Sequence, residues 1–259
     1  MIAEERPWDN NPSTTQLING TMYSFLKLTK DYCIKPHSKA FMIAGTIHHK
    51  SLENMAKELG LSSEIALNID RDVIDLLEFE DGELVLTDYK LWGSYKVAKV
   101  LGLTQIGTEP TGEVYKKAGY WGKVGDPKMK PVFGRDASLA ENTDAELQLN
   151  HYRIMLKEMG ITIKRMQVQA TVRDGELDIA IGRGVIEPIY LIDVKELDDN
   201  YVKEYFEFKK SELLTAMEQD FWDEPCSNSE CWDGRKCDKK YCDVWNFCSR
   251  GIIANGGQQ

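Results

Sequence analysis

The chain has 259 residues, 42% apolar and 29% charged, with a net charge of −10. That is the composition of a soluble globular protein with room for one substantial core and a small appendage, and its acidity argues against a general nucleic-acid coat protein. No apolar run approaches a membrane span, and the charged start Met1-Ile2-Ala3-Glu4-Glu5-Arg6-Pro7 has no signal-peptide core, so a reducing cytoplasm is the expected compartment.

In chain order, Ser13 caps a helix over Thr14 to Thr29, broken or kinked at Asn19-Gly20, and Pro36 ends that region. A second helix within Ala40 to Leu59 begins near Gly45 and stops at Gly60. Ala66 to Phe79 and Glu83 to Tyr89 read as strands, joined by Glu80-Asp81-Gly82-Glu83, whose Asp-Gly favours a tight hairpin. Leu91 to Leu103 is ambiguous, with a helix over Tyr95 to Leu101 as one reading. Residues 104–142, rich in Gly, Pro and Lys, suggest an insertion or mobile loop. Asp144 to Met159 is a helix ending at Gly160, and Ile161 to Arg173 and Leu177 to Ile181 are strands around Asp174-Gly175. Ile189 to Val194 is a further strand and Asn200 to Gln219 a closing helix. This order predicts an α/β or α+β core with a mixed central sheet flanked by helices over residues 1–219, and a cysteine-rich segment, 220–259, packed on the same domain.

The expected hairpin gives the chain its chemistry. Asp75 and Asp88 sit near its two strand ends, thirteen residues apart, so their carboxylates can converge. Two close carboxylates ionise together only around a cation, and hard oxygen ligands favour Mg²⁺ or Mn²⁺. Lys90 lies two residues past Asp88 and so on the same strand face. An ammonium beside an activated water suits phosphodiester hydrolysis. His49 and Glu53 share one helical face upstream and can look into the same site, and Gln148 and Tyr152 form a second pair of that spacing. Asp193-Val194-Lys195 repeats the Asp-x-Lys form but lacks a partner acid at hairpin spacing, so it reads as an ordinary strand end.

From Tyr115 to Arg135 six basic residues, Lys116, Lys117 and Lys123 among them, face one acid, Asp126. Such a segment either holds phosphates or forms a solvated loop. Tyr115, Tyr120, Trp121 and Phe133 are interleaved with it, to stack bases of a single strand or to pin the loop to the core. Five of six cysteines, Cys226, Cys231, Cys237, Cys242 and Cys248, fall within one short stretch. In a reducing compartment such clustering points to a metal rather than to disulfides.

Gly45-Thr46-x-x-His49-x-x-x-Glu53, then Ile74-Asp75, then Asp88-Tyr89-Lys90, then Gln148-x-x-x-Tyr152 occur in that order. This series resembles the PD-(D/E)XK nuclease superfamily, in particular its RecB-like exonucleases, which include CRISPR-associated adaptation nucleases and phage exonucleases. The resemblance implies a restriction-endonuclease-like core and a divalent-metal-dependent DNA exonuclease of recombination, repair or phage DNA processing, in a bacterial cell or phage-infected host. By the same resemblance, His49, Asp75 and Asp88 hold the metal, Lys90 orients or activates the water, and Gln148 and Tyr152 touch DNA or support the site. The substrate would be DNA with single-stranded or free ends, and a recombination or CRISPR-adaptation protein a possible partner. DNA trimming for CRISPR adaptation and a non-catalytic nucleic-acid-binding module with a structural metal are the alternatives. The family often has glycine where Asp72 stands here. Its four-cysteine members close with a [4Fe-4S] cluster, which Cys237, Cys242 and Cys248 match. Cys226 is the favoured fourth ligand, Cys33 and Cys231 are contenders, and Zn²⁺ is the alternative metal. Trp222, Trp232, Trp245 and Phe247 are expected to pack around it.

Overall fold

The structure, a computed structural model, describes residues 8–67, 72–120 and 122–257. The charged start, Trp121 and the middle of the strand expected from Ala66 to Phe79 lie outside these. Helix α1 (Thr14–Ile18) opens under a capping box in which the Ser13 hydroxyl accepts from Gln16 N–H and the Gln16 side chain accepts from Ser13 N–H. Helix α2 (Thr21–Thr29) follows the break at Asn19-Gly20. Helix α3 spans Pro36–Glu58. Pro36 therefore starts a helix, because proline at the first helical position has a suitable φ and lacks only an N–H that would be unsatisfied anyway. Gly45, the expected start, lies inside it.

Strands β1 (Ser62–Ala66) and β2 (Val73–Glu80) replace one long expected strand, and β3 runs Glu83–Trp92. The β2–β3 turn is the predicted Asp-Gly: Asp81 (φ 50°) and Gly82 (φ 83°) are both left-handed, as a two-residue hairpin turn of the favoured twist requires. After helix α4 (Ser94–Val100), β4 (Leu103–Val114) and β5 (Pro127–Arg135) pair antiparallel as a separate two-stranded sheet. The loop expected over 104–142 is thus largely a hairpin. Most of both strands is exposed, so the inside–outside alternation that marks a half-buried strand is missing. Helix α5 (Thr143–Glu158), strand β6 (Arg165–Val172), helix α6 (Asp178–Ile181), strand β7 (Ile189–Asp193), helix α7 (Asp199–Gln219) and helix α8 (Ser249–Ala254) complete the chain. Leu177 to Ile181, expected as a strand, is a single helical turn. Its alternating Leu177, Ile179 and Ile181 stay exposed, so no sheet face rewards the period-two pattern.

The main sheet has the order β1-β2-β3-β6-β7, with β1–β2, β2–β3 and β6–β7 antiparallel. β3 and β6 run parallel: Lys164 N–H donates to Leu84 C=O at one end and Arg173 N–H to Trp92 C=O at the other. A parallel neighbour needs a crossover connection, and α5 lies in it. The fold is the expected mixed α/β sheet flanked by helices.

The chain divides into two compact units. The first contains the residues up to Asp88, Asp144–Met166 and everything from Lys195 onward, the cysteine-rich segment included. Its helical core joins Phe25 and Leu26 of α2, Leu147 and Ile154 of α5, and Val202, Phe206 and Leu213 of α7, with Cys226, Cys242 and Cys248 packed against it. Burying such side chains contributes about 1.5–3 kcal/mol each. Fully buried Asn150 ties α5 to the chain after β7, donating to Lys195 C=O and accepting from Leu197 N–H. The second unit contains Tyr89–Thr143 and Gln167–Val194. There Asp174 accepts from Ser94 N–H and Oγ at 2.6 and 2.7 Å, fixing the start of α4. Gly102 (φ 61°) is required at the base of the β4–β5 hairpin, since a Cβ there would lie 2.1 Å from Asp136 O.

Candidate functional site: a carboxylate patch and a cysteine recess

Alternation along β2 buries Ile74 and Leu76 on one face and turns Asp75 to the other. The β2–β3 register pairs Leu77 with Leu86 and Leu76 with Thr87. The ladder ends there; carried one residue further, the same register would set Asp75 opposite Asp88. Directly opposed residues share a face, with Cβ atoms about 5 Å apart. Asp88 is 5% exposed. Lys90 follows two residues later on the same face of β3.

His49, on α3, brings Nδ1 to 3.2 Å from Asp75 Oδ1. Their side chains are 33% and 10% exposed, so the pair is shielded yet reachable. The His48 ring stands edge-on to that of His49, and burial, with His49 next, holds its pKa below the usual histidine value. Glu53, one turn after His49, is buried but held by Lys50 at 2.7 Å and by Lys57, so both lysines compete with any cation for it. Gln148 and Tyr152 meet as their spacing predicts, Gln148 Nε2 donating to Tyr152 Oη at 3.3 Å. Burial, then the charge of Asp72, pushes the Tyr152 phenol well above its ordinary value, and Asp88 and Asp75 add to the rise. Tyr152 therefore stays protonated, a hydrogen-bond donor beside three carboxylates.

Three contributors escape sequence reasoning. The β1–β2 register passes from Ser63–Leu76 to Ile65–Ile74, which leaves Glu64 opposite Asp75. Glu64 has a φ of 54°, a left-handed conformation uncommon for glutamate and often found at functional sites. Burial and then Asp75 raise its pKa. Recognising β1 as a separate strand is the only signal that reveals it. Asp72 is buried and accepts from Thr14 N–H at 2.9 Å, anchoring the first turn of α1. Asp72 is thus a structural anchor. His151 shares a 2.9 Å hydrogen bond between its Nδ1 and Thr14 Oγ1, and its ring stacks on Phe206 with centroids 3.8 Å apart.

Among the described residues, no three His, Cys, Asp or Glu side chains stand close enough to hold one ion. The donor set of the patch, two opposed carboxylates with an imidazole on one of them, nevertheless fits a hard divalent cation chemically. The rival Asp193 sits at the exposed end of β7 opposite Gln167. Lys116, Lys117 and Lys123 are exposed at the tip of the β4–β5 hairpin. Lys128 and Lys130 pair with Glu113 and Glu109 at 2.7 and 3.0 Å. The positive excess is therefore smaller than the segment from Tyr115 suggests, because the hairpin brings in acids from before it.

All five clustered cysteines line one recess, of about 400 Å³ including the solvent at its mouth, walled by Met22, Tyr23, Leu26 and Val244. Burial pushes the thiols of Cys226 and Cys237 up to about 11, and raises Cys242 as well. Such thiols ionise only if a cation takes the charge. Lys236 and Arg250 in the same wall suit that charge, and soft sulfur donors fit a cluster or zinc. Cys33 is exposed and is not among the residues that line the recess, whereas Cys231 is buried in it. The packing expected from the aromatics is only partly found. Trp222 lies against the adjoining core, but Trp232, Trp245 and Phe247 are absent from the lining, which α2 supplies instead. Gly20 permits this approach: a Cβ there would lie 2.4 Å from Cys226 Sγ.

No protein-family model matches the chain, and no curated protein matches it. A solved structure titled "Crystal structure of SSO0001" is similar over 95% of this chain and 88% of its own, at 14% identity and a TM-score of 0.45. A likeness that weak establishes neither a shared fold nor a shared activity.

Proposed function

We propose that the chain is a Mg²⁺- or Mn²⁺-dependent DNA exonuclease of the PD-(D/E)XK type, RecB-like, with a [4Fe-4S] cluster in its cysteine recess. What supports this reading is the β2–β3 register, which extended one residue beyond Leu76–Thr87 would oppose Asp75 and Asp88, together with His49 on Asp75. These three residues would hold the divalent ion, which supplies positive charge to the scissile phosphate and acidity to the attacking water. Lys90, on the same strand face as Asp88, presents an ammonium that orients the water and meets developing negative charge. Tyr152, kept protonated, and Gln148 donate hydrogen bonds that position the carboxylates or the DNA backbone. Glu64 adds negative charge beside Asp75 and strengthens the hold on a cation.

Cys226, Cys237, Cys242 and Cys248 would hold the cluster, whose bonds to sulfur tie the turns after α7 to the helical core. What supports this is the convergence of five thiols on one recess next to two cationic side chains. DNA ends processed in recombination, repair or phage replication are the substrate class that follows.

The deciding experiment is digestion of end-labelled single- and double-stranded DNA with Mn²⁺, comparing the wild type with Asp88→Ala. Metal-dependent shortening from the ends, reduced at least about a thousandfold in the variant, supports the reading. Equal digestion by both proteins, or none by the wild type with either metal, refutes it.

A further inference from the structure

The β4–β5 hairpin ends in a folded tip. Tyr115 N–H donates to Asp126 C=O and Gly125 N–H to Tyr115 C=O, each at 3.0 Å. Beyond them Gly119 and Gly122 exchange both backbone hydrogen bonds, at 3.0 and 3.4 Å. The Tyr115 ring occupies the space beside Gly122, where a Cβ would lie 2.6 Å from it, and Lys123 N–H donates to the Asp126 carboxylate at 2.7 Å. At this tip Tyr120 is 93% exposed. Lys116, Lys117 and Lys123 are exposed around it, and none forms an ion pair among the described residues. Lower on the hairpin the pattern reverses, with Lys128 and Lys130 neutralised by cross-strand glutamates.

A chain of net charge −10 thus ends one projection in uncompensated cations around an outward ring. That combination complements a polyanion carrying flat apolar groups. In a duplex each base is already stacked on both faces, so a ring this exposed can stack on a base only where the base is unpaired. We propose that this tip binds single-stranded DNA, with phosphates on Lys116, Lys117 and Lys123 and one base stacked on Tyr120. The inference deepens the nuclease reading and rests on it for the choice of DNA.

The test is a fluorescence-anisotropy titration of a labelled oligothymidylate of about twelve nucleotides. It uses the full chain with divalent metal withheld by EDTA, so that cleavage plays no part. Tyr120→Ala should weaken binding about tenfold, the scale of one lost base stack, while Tyr120→Phe, which keeps the ring, should bind as the wild type does. Replacing Lys116, Lys117 and Lys123 together by Gln should lower the dependence of log K on log salt by about 2, the contribution of three phosphate contacts on a single strand. Unchanged affinity in Tyr120→Ala with an unchanged salt slope in the triple variant overturns the proposal. So does tip-dependent binding that is stronger to a duplex of equal length, or to phosphatidylserine vesicles, than to the single strand. The two readings fail separately. A wild type that never cleaves DNA but binds through the tip refutes only the nuclease, and an active nuclease whose binding ignores the tip refutes only this site.

Discussion

The carboxylate patch and the cysteine recess belong to one compact unit, yet they are built by opposite means. The patch rests on backbone: the β2–β3 ladder runs up to Leu76 and Thr87, the chain neighbours of Asp75 and Asp88, and α3 delivers His49. The recess is walled by turns, the 3₁₀ turn Arg235–Cys237 and the short α8, with α2 on one side. Burial raises the thiol pKa of Cys226, Cys237 and Cys242 there. Regular structure positions the first group of side chains; on the proposed reading, a bound metal would tie the second together.

The largest effect that tests this contrast lies in the patch. Lys90→Ala should lower DNA cleavage about a hundred- to a thousandfold while leaving Mn²⁺ affinity and the thermal midpoint unaltered. Undiminished turnover would remove Lys90 from the mechanism.

Next is the recess. Anaerobically purified protein should be brown and contain iron, and Cys237→Ser should lose both and melt about 5–10 °C lower. Stoichiometric zinc in colourless protein would replace the cluster and leave the patch untouched. A variant that keeps its iron would exclude Cys237 as a ligand.

Gly20→Val separates the two regions by packing. Its side chain must displace Cys226, at a cost of about 1–3 kcal/mol, and should reduce iron content without changing Mn²⁺ affinity. Equal loss at both sites would show that the regions are not built independently.

The smallest effect is a pH dependence. Burial lowers the pKa of His151 below its usual value, so the unfolded chain binds the proton more readily. The resulting stability is complete above about pH 6.5 and is lost as pH falls toward the folded value. His151→Gln should therefore show a shallower fall in melting temperature between about pH 7 and 5 than the wild type. Parallel curves would mean that His151 takes up its proton equally in both states.

Much of the fold could be read from local chemistry. The Asp81-Gly82 turn, the apolar run of β3 and the spacing of Gln148 and Tyr152 all appear as expected, because each depends on residues close in sequence. The failures have the same root. Pro36 looked like a stop and is a start. The pattern of Leu177 to Ile181 indicated a strand where no sheet face was available to bury it. The two-stranded β4–β5 sheet carries no buried face, so no periodicity announced it.

By itself the sequence determined the types of donor available, the hairpin that opposes two aspartates, the lysine two residues beyond them and the concentration of thiols near the end. Those are properties of spacing along the chain. Only the tertiary structure decided that Glu64 stands across from Asp75, that Asp72 anchors α1, that Cys33 stays outside the recess while Cys231 lies within it, and that Lys128 and Lys130 are neutralised when Lys116, Lys117 and Lys123 are not. Each of these depends on a neighbour distant in sequence or across a ladder, and charge and burial are set by what surrounds a side chain in space.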